Sequence, residues 1–127
     1  MGYTHYWTNS KKKATQKTIT EFKLRFNLLL KSPVCPPIDV NWADKNGIGF
    51  NGVGDDSCET MVVDFTGDGG WNFCKTNKQP YDKLVVACLL LAHDLGMIAS
   101  WSSDGDDDDL KAGEEFFQSI KNEEVVK

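Results

Sequence analysis

The sequence has four cysteines but no Cys-x-x-Cys pair, which excludes a zinc knuckle and a dithiol redox motif. Cys58 and Cys88 stand among apolar residues and read as buried thiols, Cys35 lies in a proline-rich segment, and Cys74, between Phe73 and Lys75, reads first as packing and second as a site residue. Basic charge is also scarce. Lys and Arg number 14 against 19 Asp and Glu, a formal net charge of -5, so the broad phosphate-binding face of a duplex nucleic-acid binder is not expected. The single basic run, Lys11-Lys12-Lys13, reads as the solvated approach to a helix.

Long hydrophobic runs are missing as well. Met1 to Ser10 lacks the apolar core of a secretory signal, and Leu84 to Ala92 is too short to span a bilayer. The expectation is a cytoplasmic protein without a membrane partner. No GxxxxGK[ST] or GxGxxG loop occurs, nor any nucleophile elbow. The acidic run Asp104 to Asp109 departs from the calcium-loop pattern, and Asp106 to Asp109 reads as a solvated loop whose last members cap the final helix. Histidines number two, His5 and His93, and they are not at metal-ligand spacing. No metal and no cofactor are expected.

What is present suits one domain over residues 1–127, fraying from about residue 123. Gly2 to Trp7 alternates as a strand, with Tyr3, His5 and Trp7 on one face and Thr4 and Tyr6 on the other. Asn9 and Ser10 can cap a following helix, whose stripe is Ile19, Phe22, Phe26, Leu29 and Leu30. Pro33, Pro36 and Pro37 end it. Strands near 38–42, 48–51, 58–65 and 71–75 then form an antiparallel meander punctuated by DKNG, GVGDD and TGDGG. Tyr81 to Leu95, apolar on most sides and closed by Gly96, is a buried helix. A strand at 97–101 and an amphipathic helix at 109–122, with Leu110, Phe116, Phe117 and Ile120 inward, complete the order β-α-β-β-β-β-α-β-α. The fold class is α+β, a mainly antiparallel sheet with two to three helices packed on it.

Three polar clusters fall at strand ends: Asn51-Gly52 with Gly54-Asp55-Asp56, Cys74-Lys75-Thr76 with Tyr81-Asp82, and Ser102 to Gly105. Meeting at one rim, they would form a site for a small anionic or nucleotide-like ligand, in which Lys75 meets the charge, Thr76 and Asn51 give neutral hydrogen bonds, the backbones of Gly52 and Gly105 donate, and Tyr3, Trp7 or Tyr81 stacks on a flat ring. Glu59 shares a face with Met61 and Val63 and reads either as an inward carboxylate partnered by Lys75 or His5, or as an exposed edge residue. A His5–Glu59 acid–base pair is the seed of an enzyme reading. The exposed aromatic start and the acidic tail support a third reading, a protein–protein inhibitor. The sequence also leaves room for a homo-oligomer.

Taken together, MGYTHYW, FNGVGDDSCET, FCKTNKQPYD and SSDG resemble, in order and spacing, a family of small uncharacterised proteins of bacteria and their phages. That resemblance implies shared importance for His5, Tyr6, Trp7, Asn51, Gly52, Glu59, Thr60, Cys74, Lys75, Thr76, Pro80, Tyr81, Asp82, Ser103, Asp104 and Gly105, and it names no activity. Two departures stand out: Cys58 replaces a histidine before Glu59-Thr60, and Lys78-Gln79 replaces a basic pair. A role that needs that histidine is thereby weakened, and a binding role loses less. For a phage protein the resemblance implies a setting in the host cytoplasm, and a binding role there could be a sponge for a host defence signalling nucleotide.

Overall fold

A computed structural model describes residues 3–121. The frayed tail expected from about residue 123 lies outside the described residues. Along the chain run β1 (Thr4–Asn9), α1 (Gln16–Lys31), β2 (Ile38–Asp44), β3 (Gly47–Gly52), a 3-10 turn (Gly54–Asp56), β4 (Met61–Asp64), β5 (Trp71–Lys75), α2 (Asp82–Asp94), β6 (Ile98–Ser103) and α3 (Asp107–Lys121). The expected order of helices and strands is the observed one, in an α+β domain with antiparallel pairing throughout.

The strands divide into two three-stranded sheets, β2-β3-β4 and β5-β1-β6. The meander therefore ends one strand earlier than expected. After β4 the TGDGG turn carries the chain across to β1, where Thr4 pairs with Lys75 and Thr8 with Trp71. Gly67 makes this crossing feasible: its φ is +71°, and an added Cβ would lie 2.2 Å from the carbonyl carbon of Lys12. Asp64 holds the turn by accepting from the backbone N–H groups of Thr66, Gly67 and Asp68.

Helix α1 starts at Thr15, whose hydroxyl accepts from the Thr18 N–H at 3.1 Å. Asn9 does not cap it. Its strand runs two residues further than expected, and its buried amide donates to Asp68. The basic run 11–13 is exposed in the connection between β1 and α1. The stripe on α1 stacks Phe22 on Phe26 and joins Phe50 of β3 and Phe65 after β4, so that α1 closes the β2-β3-β4 side of the core. Helix α2 is buried continuously from Leu84 to Leu89 and packs on β6, α1 and α3. Gly96, at φ +77°, ends it as expected. Strand β2 lies at the free edge of its sheet, and Asp39 to Asp44 are all exposed.

Candidate functional site

Because β1 is central and antiparallel to both neighbours, the C-terminal ends of β5 and β6 meet at the N-terminal end of β1. Two of the three polar clusters therefore share one rim, with Lys75-Thr76 on one side of Thr4 and Ser103-Asp104 on the other. The third arrives indirectly. Asn51, at the end of β3, donates its amide to the Cys58 carbonyl and accepts from the N–H groups of Gly52 and Cys58, folding the 52–58 loop back on itself. The following residue, Glu59, lies beside the free edge of β5: its N–H donates to the Lys75 carbonyl at 3.0 Å, and its carboxylate accepts from the Lys75 N–H at 2.7 Å. Thr60 donates to Asn41 of β2. Strand β4 begins only at Met61, so Glu59 is not an inward strand carboxylate. It is exposed, and it joins the two sheets through backbone groups.

The inner side of this rim is a buried polar knot. His5 is fully buried, and its Nε2 lies 2.6 Å from Asp82 Oδ1, the same oxygen that accepts from the buried Thr76 hydroxyl at 2.5 Å. No His5–Glu59 acid–base pair forms. Helix α2 explains the choice of partner, since it begins at Asp82, where a carboxylate is favoured by the helix dipole and reaches back to β1. Trp7 is 2% exposed and Tyr81 is fully buried, so neither offers a ring face to a ligand. The Tyr81 hydroxyl donates to the Glu59 carbonyl at 2.6 Å, and burial, its largest cause, raises its pKa. Tyr3, with 7% of its surface exposed, stands at right angles to the His5 ring.

Thr76 to Gln79 is a tight turn closed by the Gln79 N–H donating to the Thr76 carbonyl. Asn77 and Lys78 both have positive φ, +52° and +59°, a pairing in which glycine usually holds the second place. This geometry swings Lys78 over the Tyr3 ring, 5.0 Å from its centroid, and within 3.2 Å of Asp109. A cleft of about 260 Å³ lies beneath, lined by Tyr3, Asp82, Lys83 and Asp109 among others. Helix α3 begins at Asp107, two residues earlier than expected, so Asp107 to Asp109 form its first turn instead of a loop, and Asp106 caps it: Asp106 and Asp109 each accept from the other's N–H. Among the described residues no group of three or more His, Cys, Asp or Glu side chains could hold a metal ion.

Cys74 is fully buried, and its thiol is pushed up to about 12, chiefly by that burial. A thiol so protonated is a poor nucleophile, and packing is its role. Cys88 is equally buried, whereas Cys35 and Cys58 are half-buried. Treatment of the native protein with iodoacetamide at pH 8 is therefore expected to add no more than two labels, at Cys35 and Cys58, with Cys74 and Cys88 reacting only after denaturation. Intact and peptide mass spectrometry reads this directly. Early labelling of Cys74 would contradict the packing described.

The outer side of the same sheet is different in kind. Alternation along the three strands places Lys75, Phe73 and Trp71 of β5, Thr4, Tyr6 and Thr8 of β1, and Ser102 and Ser100 of β6 on one face, with Asp104 at its corner. Trp71 is 62% and Phe73 49% exposed, the first and third most exposed large apolar side chains described. Tyr6 stacks on Trp71 with 20° between the ring planes, and Trp71 lies 5.3 Å from Phe73. A groove of about 260 Å³ runs between this aromatic wall and the hydroxyls of Ser100 and Ser102. Asp104 fixes the upper end: its Oδ2 accepts from the Thr4 N–H at 3.0 Å and from the Tyr6 hydroxyl at 3.3 Å. Lys75 forms no ion pair among the described residues.

Of the residues singled out in the sequence, Lys75 and Asp104 belong to this open face. Tyr3, His5, Thr76 and Ser103 lie on its inner side, and Asn51, Gly52, Glu59 and Thr60 on the adjoining loop and edge. Trp71, Phe73 and Ser100 were not among them. A signal was present: Trp71 and Phe73 alternate with Lys75, and a strand face that carries a lysine beside two aromatics is an outward face. Compared with protein-family models, curated proteins and solved structures, the chain matches none.

No helix among the described residues is long and apolar enough to cross a membrane.

Proposed function

We propose that the protein binds a small nucleotide-like molecule on the open face of the β5-β1-β6 sheet and does not transform it. The flat ring stacks on Tyr6, Trp71 and Phe73, Ser100 and Ser102 offer neutral hydrogen bonds, and Lys75 meets an anionic group. The observation that carries this reading is the exposed aromatic cluster with, at its end, a lysine that forms no ion pair among the described residues. Stacking of a base on an aromatic side chain is worth about 1–3 kcal/mol, which favours keeping such rings exposed only where something covers them. The candidate acid–base residue His5 is committed to Asp82 behind the sheet, which favours binding over catalysis. In a bacterium infected by a phage, such a binder would act as a cytoplasmic sponge for a defence signalling nucleotide.

The test is to incubate the purified protein with a mixture of linear and cyclic nucleotides and ADP-ribose derivatives, filter, boil the retained protein, and analyse both fractions by mass spectrometry. One compound is expected to be depleted from the filtrate and released intact by heat. Trp71→Ala is expected to weaken its binding about tenfold or more, the value of one stacked base. Recovery of a product only would make the protein an enzyme, and an untouched mixture would shift the reading to a protein partner.

A further inference from the structure

We infer that the ligand bound on this face carries a ribose, and that Asp104 reads its vicinal diol. This rests on the binding reading above and adds the chemical feature that selects among ring-bearing molecules. Asp104 is exposed at the end of β6, on the outer-face row of Thr4 and Lys75. Its backbone N–H donates to the Thr4 carbonyl at 3.0 Å, and its Oδ2 is held by the Thr4 N–H and the Tyr6 hydroxyl. The carboxylate is thereby fixed in orientation before any ligand arrives. Its second oxygen, Oδ1, has no hydrogen-bond partner among the described residues, and Asp104 forms no ion pair among them.

An ionised carboxylate only accepts hydrogen bonds, so what it selects is a donor. It repels phosphate. On the opposite side of Thr4, two strands away and so about 10 Å across the sheet, stands Lys75, which does the reverse. A ligand lying across this row must present hydroxyl donors at the β6 end and negative charge at the β5 end, while its ring rests one row further on, over Tyr6 and Phe73. A nucleotide arranges its parts in this way, with base, diol and phosphate projecting from the sugar in different directions. Recognition of a ribose diol by an acidic side chain at a strand end is a common solution in nucleotide sites. A ligand with phosphate at both ends of this row would set one of them against Asp104, so the pair also limits how the molecule can lie.

The experiment is equilibrium dialysis of the native protein with the 5′-monophosphates of adenosine, guanosine, cytidine and uridine, each beside its 2′-deoxy counterpart, and with the 3′,5′-cyclic nucleotides, whose esterified 3′-oxygen leaves no vicinal diol, as further diol-free probes. The ribose form of whichever probe binds is expected to bind about tenfold tighter, the size of one charge-assisted hydrogen bond. Asp104→Asn is expected to close that gap while leaving the deoxy form within about twofold, since the amide oxygen still accepts from Thr4 and Tyr6. Equal affinity of ribose and deoxyribose forms for the native protein would overturn the inference while leaving the binding site intact, and this comparison needs no variant to fold. A preference that survives in Asp104→Asn would overturn it as well. If no nucleotide of either kind binds, the proposed function falls, and this inference with it.

Discussion

Asp82→Ala is expected to lower the free energy of unfolding by about 3 kcal/mol, read from urea denaturation at pH 7. Asp82 Oδ1 is the shared acceptor for His5 Nε2 and the Thr76 hydroxyl, and both of those residues are fully buried. Removing it strands two polar groups at once. The imidazole is already short of partners, because its Nδ1 is buried without one, so losing Nε2's contact leaves the whole ring unsatisfied in an apolar setting. The helix also loses the acidic residue of its first turn. The Asp82 side chain is 14% exposed, and water entering from that side keeps the cost near the low end for a broken buried pair. Asp82→Asn retains an acceptor and is expected to lose about 1 kcal/mol, and Thr76→Val a similar amount. A loss below 1 kcal/mol in Asp82→Ala would mean that His5 is held by something other than this carboxylate.

Gly113→Val in α3 is expected to cost a comparable amount, about 3 kcal/mol, through overpacking. A Cβ at Gly113 would stand 2.4 Å from the Cβ of Val86 and 2.5 Å from its Cγ1. These are branched, stiff atoms on a buried helix and cannot swing aside as a lysine tip would. Gly113 is therefore what lets α3 lie against α2, and the two bulkier methyls of valine would force the helices apart along their contact. Alanine recovers roughly 1 kcal/mol of helix propensity and is expected to fall between the native protein and valine. Thermal unfolding should show a drop of roughly 10 °C for the valine variant. An unchanged transition would mean that the helices are further apart than described.

The element order was legible because its punctuation is local. Three prolines stop α1, Gly96 ends α2, and apolar spacing at 3.6 or 2 marks what lies between them. Sheet membership was not legible. β5 pairs with residues more than 60 positions away, and nothing in WNFCK distinguishes that partner from the nearer β4. The candidate site divides along the same line. Alternation separated Tyr3, His5 and Trp7 from Thr4 and Tyr6, yet it could not say which set faces inward. Tyr3, His5 and Trp7 carry polar atoms and invited a functional reading, but their bulk is what the core uses. That Lys75 and Asp104 stand on the outer face at one rim was legible because a charge at a strand end has few places to go. Glu59 was read with an inward strand carboxylate as one alternative, because periodicity was extended three residues before the strand begins, and backbone donors at the edge of β5 decided its place.

The position of β1 between β5 and β6 has a consequence for how the chain acquires its structure. Strand β1 precedes both of its neighbours in the chain and forms the middle of a sheet whose outer strands end at Lys75 and Ser103. Until residue 103 is available, β1 has at most one neighbour, and its row of inward aromatics has no complete surface to bury against. Closing those pairings requires bringing together segments far apart in sequence, a step that slows folding in proportion to the loop entropy lost. The β2-β3-β4 hairpins and α1 have no such constraint. Assembly is thus ordered by topology: the local meander first, and the β5-β1-β6 sheet last.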